Sequence, residues 1–380
     1  MEEVKVVIVG AGPSGLATSA CLNRLSIPNL VLEKEDCSCS LWKKRSYDRL
    51  HLHLAKQFCS LPFCEHSAKT PVFMSKSDFI RYADDYVLRF NINPRYCHSV
   101  ESANYDEGKN RWLVEVKNTI SGEMKLCVSE FLVVSCGENS EGFIPMLPGL
   151  DNFNGEVVHS NEYKSGLRYQ GKKVLVVGCG NSGMEIAYDL SNFGAHTSIV
   201  VRNQFHVVTK EMVLIGQLLL QYVSVSEIDN LITVLAEHKY GNLSKYGIHR
   251  PAEGPFYLKD TTGRSPVLDV GTIEKIRSRA IKVVPAISCI KEEVVAFENG
   301  DQQHIDVIVF ATGYKSTASN WLKDYGYVLD NNGMPKNNFP AHWKGVNGSY
   351  CAGLSRMGLF GVASDAIAIA NDIEKAISGV

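Results

Sequence analysis

The chain has 380 residues, of which 45% are hydrophobic and 21% are charged. This apolar content is too high for a disordered chain and predicts a globular protein of two or three domains. Lys and Arg total 39 against 41 for Asp and Glu, a balance that excludes the strongly basic surface by which proteins attract nucleic acids or anionic membranes.

No segment of the sequence is suited to membrane insertion or secretion. The longest apolar run, 212–220, is about half of the roughly 18 residues that a membrane span needs. The first apolar strand begins almost at Met1, with no basic and apolar leader before it. The eleven cysteines are scattered and contain no Cys-x-x-Cys pair, so we expect reduced thiols, no metal site and a cytoplasmic protein.

In chain order, the first predicted unit is a strand, a glycine-rich turn and a helix. The turn follows Val9 directly and consists of Gly10, Ala11, Gly12, Pro13, Ser14 and Gly15. In such a turn the first glycine permits the tight bend, the second admits a pyrophosphate and the third lets the helix pack against the strand. The helix N-terminus then receives the phosphates. The pattern therefore predicts a dinucleotide-binding site.

An acidic residue at the end of the second predicted strand characterises this nucleotide. The strand Leu30-Val31-Leu32 is followed by Glu33, which is placed to accept a hydrogen bond from a ribose 2′-hydroxyl. This favours a nucleotide without a 2′-phosphate. The alternative is an ordinary solvated carboxylate at a strand end.

A second strand, glycine turn and helix recur later in the chain. The turn follows Val177 and consists of Gly178, Cys179, Gly180, Asn181, Ser182 and Gly183. The next strand ends in Arg202, which can bind a 2′-phosphate in a bidentate manner and so favours NADP over NAD. A solvated guanidinium is the alternative, and His206 or Lys210 are the next candidates for the phosphate.

Two nucleotide sites of different character in one chain suggest an electron relay, in which NADPH passes a hydride to a bound flavin. After the second site, residues 210–245 are rich in Leu, Val and Ile and predict helices. Within them, 212–235 is a candidate wall for an apolar substrate pocket, with plain domain core as the alternative. A C-terminal helix is predicted over 363–377.

Several segments resemble known flavoenzymes. Residues 153–163 match the FxGxxxHxxxY fingerprint of the flavin-containing monooxygenases. Over about 4–373 the chain closely resembles the plant YUCCA monooxygenases, chiefly in the segments 47–59, 180–186, 243–247, 269–272 and 310–315.

The resemblance to the YUCCA monooxygenases implies a reaction. It implies FAD and NADPH as cofactors, O2 and indole-3-pyruvate as substrates, and oxidative decarboxylation to indole-3-acetate, the auxin, through a flavin C4a-(hydro)peroxide. The order of the motifs predicts an α/β fold with two Rossmann-like dinucleotide-binding domains, the NADP domain inserted into the FAD domain. We expect the FAD domain at 1–168 and 314–380 and the NADP domain at 169–313, including the helices of about 210–245.

Individual roles also follow from the resemblance, although the flavin itself would carry the chemistry. Leu41 and Trp42 are implied to lie near the flavin, with a core aromatic as the alternative for Trp42. The weak catalytic candidates are Lys56, Gln57 and Asn139. The resemblance also implies His53 beside the flavin, and Thr312 and Gly313 at the return from the NADP domain. It implies that His159 organises the junction between the domains and the passage of NADP, but we expect the alternative, a hydrogen-bonded structural histidine.

One departure from the family leaves the function open. Residues 135–137 read Ser-Cys-Gly where these monooxygenases often have Ala-Thr-Gly, so a thiol replaces a hydroxyl near the first turn. An NADPH-flavin reductase or oxidase, an oxygenase of nitrogen or sulfur, and a non-catalytic nucleotide sensor therefore remain as alternatives. Oligomeric state is not determined by the sequence.

Overall fold

The computed structural model describes residues 1–379, which contain both strands and helices. The strands are β1 (Glu2–Val9), β2 (Asn29–Leu32), β3 (His98–Asp106), β4 (Arg111–Asn118), β5 (Met124–Val134), β6 (Glu141–Gly142), β7 (Glu156–His159), β8 (Lys173–Val177), β9 (His196–Val200), β10 (Val207–Val208), β11 (Val267–Leu268), β12 (Ile281–Val284), β13 (Ile287–Lys291), β14 (Val294–Phe297), β15 (Gln302–His304), β16 (Val307–Phe310), β17 (Tyr314–Lys315) and β18 (Ser349–Cys351).

The helices are α1 (Pro13–Arg24), α2 (Ser40–Lys44), α3 (Lys76–Arg89), α4 (Asn181–Asn192), α5 (Lys210–Leu219), α6 (Val225–Tyr240), α7 (Pro255–Thr262), α8 (Thr272–Arg277), α9 (Ala318–Trp321) and α10 (Gly358–Ser378). Short 3-10 turns lie at Lys56–Phe58, Leu150–Asn152, Gly166–Tyr169, Ser244–Tyr246 and Tyr325–Tyr327. Within residues 1–379, no helix combines the length and the apolarity that a membrane crossing requires.

The chain divides into two units, and the second is inserted into the first along the sequence. Unit 1 comprises 1–45, 55–141 and 314–380, and unit 2 comprises 46–54 and 142–313. The sequence analysis assigned 46–54 and 142–168 to the first domain. They join unit 2 because β7 pairs with β16 at the edge of its sheet and because Tyr47 is buried in its core.

Unit 1 contains a mixed sheet whose strands are in the order β2-β1-β5-β4-β3. β1 is parallel to β2 and β5, whereas β3, β4 and β5 form an antiparallel meander, and β18 extends β5 in parallel beyond the point where β4 ends. Along β1, Val6 and Ile8 are buried on one face and Val7 and Val9 on the other. Burial on both faces explains why the second half of this strand, residues 6–9, is continuously apolar.

Unit 2 contains a parallel sheet whose strands are in the order β12-β9-β8-β16-β7. α4 connects β8 to β9, which gives the strand, helix and strand arrangement of a dinucleotide-binding domain. Along β16, Val307 and Val309 lie in one core and Ile308 and Phe310 in another. The predicted α/β class with two Rossmann-like units is therefore confirmed.

Candidate functional site

The first glycine turn has the geometry that its three glycines predict. Gly10 has φ +108°, and a Cβ there would lie 2.6 Å from the Ser135 carbonyl oxygen. A Cβ on Gly15 would lie 1.9 Å from the Gly10 carbonyl oxygen, because α1 crosses β1 at that point. A Cβ on Gly12, by contrast, would have no neighbour within 4 Å among the described residues. The second glycine therefore faces open space, as an approaching pyrophosphate requires.

The N-terminus of α1 is directed at this open space. The helix begins at Pro13, and its N-cap residue, Gly12, provides no side-chain hydrogen bond. The first-turn N–H groups of Ser14 and Gly15 thus have no intrahelical acceptor. Together with the positive end of the helix dipole, they make a site suited to an anion.

Glu33 lies directly beneath the turn. Its carboxylate accepts the Ala11 N–H at Oε2 (2.7 Å) and the Glu35 N–H at Oε1 (3.0 Å). The side chain is only 6% exposed, and burial raises the pKa of the Glu33 carboxyl, whereas the two N–H donors oppose this shift. Glu33 therefore fixes the turn from the end of β2, and its contact with a ribose hydroxyl stays a prediction.

The serine that departs from the family pattern also supports this turn. Ser135, at the end of β5, donates its hydroxyl to the carbonyl oxygens of Val9 (2.8 Å) and Gly10 (3.2 Å). The neighbouring Cys136 thiol has its pKa raised by burial. The Ser135 hydroxyl therefore holds the ends of β1 and β5 together in this chain.

Other residues implied for unit 1 have local structural contacts. Trp42 on α2 is partly buried, and its ring centroid lies 4.5 Å from that of Phe79, while Leu41 beside it is partly exposed. Lys56 donates its ammonium hydrogens to the carbonyl oxygens of residues 67, 68 and 70 at 2.9, 3.2 and 2.6 Å. Gln57 and Asn139 are exposed. The structure thus gives Lys56 the role of closing a loop.

The three glycines of the second turn have the same surroundings as those of the first turn. Gly178 has φ +113°, and its Cβ would lie 2.5 Å from the Ala311 carbonyl oxygen. A Cβ on Gly183 would lie 1.9 Å from the Gly178 carbonyl oxygen, and a Cβ on Gly180 would meet no described atom within 4 Å. α4 follows with Gly180 as an N-cap that offers no side-chain bond. Unit 2 therefore has a second cradle of the same shape.

The other residues of the second turn differ in their availability. Asn181 accepts the Leu268 N–H at Oδ1 (2.7 Å) and donates from Nδ2 to the Pro266 carbonyl oxygen (3.4 Å), so its amide ties the turn to β11. Ser182 and Cys179 are partly exposed, and burial raises the pKa of the Cys179 thiol.

Arg202 is exposed just beyond β9 and forms no ion pair with any residue in the range 1–379. The fallback residues are less available. His206 is 4% exposed, its Nε2 lies 2.7 Å from the Glu253 carbonyl oxygen, and burial lowers its pKa. Lys210 is half-buried, and burial lowers the pKa of its ammonium group. Of the three, Arg202 is the one suited to a phosphate in solvent.

His159 is hydrogen-bonded to the backbone of unit 2, which supports a structural role. Its Nδ1 accepts the Asn161 N–H (3.2 Å), and its Nε2 lies 3.1 Å from the Gly313 carbonyl oxygen. Thr312 donates its hydroxyl to the Phe143 carbonyl oxygen. These bonds join the segment after β16 to the segments around β6 and β7 within unit 2.

Sequence reasoning missed a buried charge cluster in unit 2. The Glu185 side chain on α4 is 3% exposed, with Arg49 Nε at 4.0 Å and His53 Nε2 at 3.7 Å from its oxygens. The Arg49 guanidinium also lies 4.4 Å from the centre of the Tyr188 ring. The sequence contains one sign of this cluster. Glu185 lies between the apolar residues Met184 and Ile186, on a part of α4 that is buried.

Comparison with known proteins identifies the family of the chain. Residues 3–342 match the FMO-like family, described as flavin-binding monooxygenase-like. The chain is 56% identical over 377 residues to the probable indole-3-pyruvate monooxygenase YUCCA10 of Arabidopsis thaliana, covering 99% of this chain and 98% of that protein. It is 44% identical over 372 residues to the indole-3-pyruvate monooxygenase YUCCA1 of Oryza sativa subsp. japonica, covering 97% of this chain and 90% of that protein.

The fold also recurs among solved structures. The crystal structure of OTEMO in complex with FAD and NADP has a TM-score of 0.76 at 16% identity, covering 99% of this chain and 85% of that one. At this identity the likeness concerns the fold.

Proposed function

The chain belongs to the flavin-binding monooxygenase-like family and, within it, to the YUCCA monooxygenases, and from this premise we propose that it converts indole-3-pyruvate to indole-3-acetate by oxidative decarboxylation, using FAD and NADPH. Its relatives YUCCA10 and rice YUCCA1 carry the name of this activity. The substrate therefore rests on the family, and the cofactors rest on the residues as well.

The observation that carries the proposal is the pair of matched glycine turns. In each unit the first and third glycines are enclosed by backbone at 2.6 Å or closer, and the second faces open space at a helix N-terminus. A single nucleotide needs one such cradle. Two cradles in one chain support a hydride donor and a hydride acceptor that bind together.

We assign FAD to unit 1. The residues that would hold it are Gly10, Gly12 and Gly15 with the first-turn amides of α1, and Glu33 for the ribose. Ala11, Pro13 and Ser14 complete the turn, and Leu41 and Trp42 are proposed to lie near the ring. The open space at Gly12 is the feature of unit 1 that fits a dinucleotide.

We assign NADPH to unit 2. Gly178, Gly180 and Gly183 with the first-turn amides of α4 would receive its pyrophosphate, and Arg202 would bind the 2′-phosphate. The exposed position of Arg202, free of carboxylate partners within residues 1–379, supports this assignment.

The reaction balances with one equivalent of each reactant. Indole-3-pyruvate, O2, NADPH and a proton give indole-3-acetate, CO2, NADP+ and water. When bound, the flavin supplies the two-electron acceptor for the hydride and activates O2. The protein contributes by binding each nucleotide in a cradle that lies between the end of a strand and the start of a helix.

The indole ring requires an apolar surface, for which we propose residues 212–235 of unit 2. α5 and α6 direct Met212 and Ile232 into the core of the unit, whereas Ile215 and Leu218 remain 42% and 49% exposed. These exposed side chains support a wall that could contact an apolar ligand.

Product analysis tests the proposal. Purified enzyme supplied with FAD, NADPH, air and indole-3-pyruvate should yield indole-3-acetate and CO2 in equal amounts, with one NADPH and one O2 consumed for each. Tryptamine should give no product. NADPH consumption with hydrogen peroxide as its only product would favour the oxidase alternative, and N-hydroxylated tryptamine would favour a heteroatom oxygenase.

A cytoplasmic location is part of the proposal. All eleven cysteines keep their thiols and form no disulfide within residues 1–379. A chain so rich in thiols is suited to a reducing compartment. Mild disulfide-forming reagents should lower the number of free thiols in the purified protein, measured by thiol titration. When the reduced protein is refolded, no specific disulfide should form.

A further inference from the structure

Unit 1 has a cavity near the C-terminal end of α1, whereas the glycine turn lies at the N-terminal end of this helix. The cavity encloses about 810 Å³ around the C-terminal end of α1, the start of β2 and the C-terminal end of α3. Arg24, which lines the cavity, lies eleven residues after Pro13, about 16 Å along α1 at 1.5 Å for each residue. The cavity volume is within the range of small-molecule sites. Nothing in the proposed reaction uses it.

The charge of this cavity is positive. Arg24 and Arg89 are among the residues that line it, and none of the described lining residues is acidic. Neither guanidinium forms an ion pair with any residue in the range 1–379. Two arginines without carboxylate partners on one concave surface favour an anionic ligand.

Aromatic rings line the same cavity beside the guanidinium groups. The Arg24 guanidinium carbon lies 4.3 Å from the centre of the Phe63 ring, and that of Arg89 lies 5.7 Å from the Phe90 ring. The two ring centroids are 6.4 Å apart. Phe63 is nevertheless 47% exposed, so the ring is not simply part of the core.

Phe63 occupies its position at a conformational cost. Its φ is +62°, the left-handed region that a bulky residue rarely adopts. Phe63 is the third residue of a tight turn in which the Cys64 N–H donates to the Leu61 carbonyl oxygen (3.2 Å). When the second residue of such a turn is proline, as here, a third residue with positive φ is usually Gly. A bulky residue kept in strain is a recognised sign of function.

Two tyrosines of α3 hold the strained turn in place. Tyr82 receives the Leu61 N–H at its hydroxyl oxygen (2.7 Å) and donates its hydroxyl to the Cys64 carbonyl oxygen (2.6 Å). Tyr86 donates its hydroxyl to the Pro62 carbonyl oxygen (3.1 Å). α3 thus fixes the turn through three hydrogen bonds, and the Phe63 ring lies at the edge of the cavity.

The cavity floor is also rigid. Asn23 donates from Nδ2 to the Phe90 carbonyl oxygen (3.0 Å), Asn29 donates to Asn23 Oδ1 (2.8 Å), and Ser19 donates to Asn29 Oδ1 (2.7 Å). This network fixes the end of α1, which carries Arg24, against the end of α3, which carries Arg89. A rigid site loses little conformational freedom when a ligand binds.

We propose that this cavity is a binding site for an aromatic carboxylic acid, separate from both nucleotide cradles. The carboxylate would pair with Arg24 and Arg89, and the ring would pack against Phe63 and Phe90. Indole-3-acetate is a member of this chemical class and serves as the probe. Binding to the cavity does not depend on the proposed reaction, since it is measured without turnover.

Residue-resolved protection from phenylglyoxal tests the proposal on the FAD-loaded enzyme with saturating NADP+. Indole-3-acetate should slow modification of Arg24 and Arg89 at least fivefold, read by peptide mass spectrometry. Arg81, an exposed arginine on the same helix as Arg89, is the matched control and should be unaffected. Acetate lacks the ring and indole-3-ethanol lacks the carboxylate, so neither should protect at the same concentration. Equal protection by either one, or none by indole-3-acetate, would overturn the proposal.

Phe63→Gly provides an independent test. Glycine adopts the positive φ without strain, so the variant should unfold at a denaturant midpoint no lower than that of the parent. Protection of Arg24 by indole-3-acetate should nevertheless need at least tenfold more ligand, because the ring is gone. An unchanged concentration dependence would show that Phe63 has no part in binding and would contradict the proposed site.

Discussion

Gly12 and Gly15 lie on the same turn, yet a methyl group at each has opposite consequences. At Gly12 the new Cβ enters space that no described residue occupies, whereas at Gly15 it would lie 1.9 Å from the Gly10 carbonyl oxygen. Gly12 thus leaves room for a ligand, whereas Gly15 allows the close contact between helix and strand.

We expect Gly12→Ala to fold normally and to lose FAD. Its FAD affinity should fall by about tenfold or more, so that the purified protein has little absorbance at 450 nm. Gly15→Ala is the comparison, because it should give insoluble or unfolded protein by circular dichroism. A Gly12→Ala protein with full flavin content and normal turnover would contradict the assignment of FAD to this turn.

Arg202 should determine the choice between NADPH and NADH. A hydrogen bond between charged groups contributes about 1.5 to 3 kcal/mol, so Arg202→Ala should lower the NADPH to NADH ratio of kcat/KM by about tenfold or more. Arg264→Ala, which removes another exposed arginine of unit 2, should leave the ratio unchanged. FAD content should be the same in both. A ratio that Arg202→Ala does not alter would place the phosphate on another residue.

The contacts of individual residues, including the weak catalytic candidate Lys56, were not predictable from the sequence. Lys56 is a cation in a segment that resembles the family, but its three hydrogens go to backbone carbonyl oxygens of a neighbouring loop. Glu185 attracts little notice in the sequence, yet it is the buried partner of Arg49 and His53. Local spacing identifies a residue type, whereas its partners depend on segments that are distant in the chain.

At the scale of elements, α7 depends on a side chain from another helix. The Asp229 carboxylate on α6 accepts the N–H groups of Phe256 (2.7 Å) and Tyr257 (3.0 Å) in the first turn of α7. The N-cap residue of α7 is Gly254, which has no side chain to accept these N–H groups. A Cβ on Gly254 would lie 2.1 Å from the Asp229 carboxyl carbon. Asp229 thus replaces the usual local cap.

Asp229→Ala should therefore destabilise unit 2 by about 2 kcal/mol, since it leaves two backbone donors without acceptors. The measurement is urea unfolding, followed by circular dichroism. Asp260→Ala, which removes an exposed carboxylate of α7 itself, should change the stability by less than about 0.5 kcal/mol. Equal losses for the two variants would show that the remote cap contributes nothing.

The predicted elements agree best with the structure where the sequence contains both a periodic pattern and a boundary signal. The apolar spacing predicts a C-terminal helix over 363–377, and the observed helix extends over Gly358–Ser378. The prediction is therefore correct for most of the helix and omits its first five residues. Residues 210–245 contain α5 and α6, as the run of Leu, Val and Ile predicted. The Ser224 and Glu227 capping box marks the start of α6.

At the scale of the whole molecule, each unit should respond to its own nucleotide. NADP+ at about a hundredfold excess over its Kd should stabilise the unit that binds it by about 2.7 kcal/mol. The slowest amides of β8 and α4 should then exchange hydrogen up to about a hundredfold more slowly, measured by mass spectrometry. The slow amides of β1 and α1 should respond to FAD in the same way.

The control for this experiment is Gly180→Ala, which places a methyl group in the open space of the second cradle. NADP+ should no longer protect β8 and α4 in this variant, while FAD content is unchanged. Protection of β1 and α1 by NADP+, with none in unit 2, would mean that the two nucleotide assignments must be exchanged.

The two dinucleotide motifs are evident from the sequence because their requirements are local. A tight bend, an approach for phosphate and a close contact between helix and strand all fall within six residues. The sequence also indicates the α/β class, through apolar strands that alternate with helices. Tertiary structure alone decided which unit holds residues 46–54 and 142–168, since β7 pairs with a strand that lies much later in the chain. It likewise decided the partners of Glu185, Lys56 and Phe63, because a contact between distant segments depends on how the sheets and helices pack, and no local pattern records it.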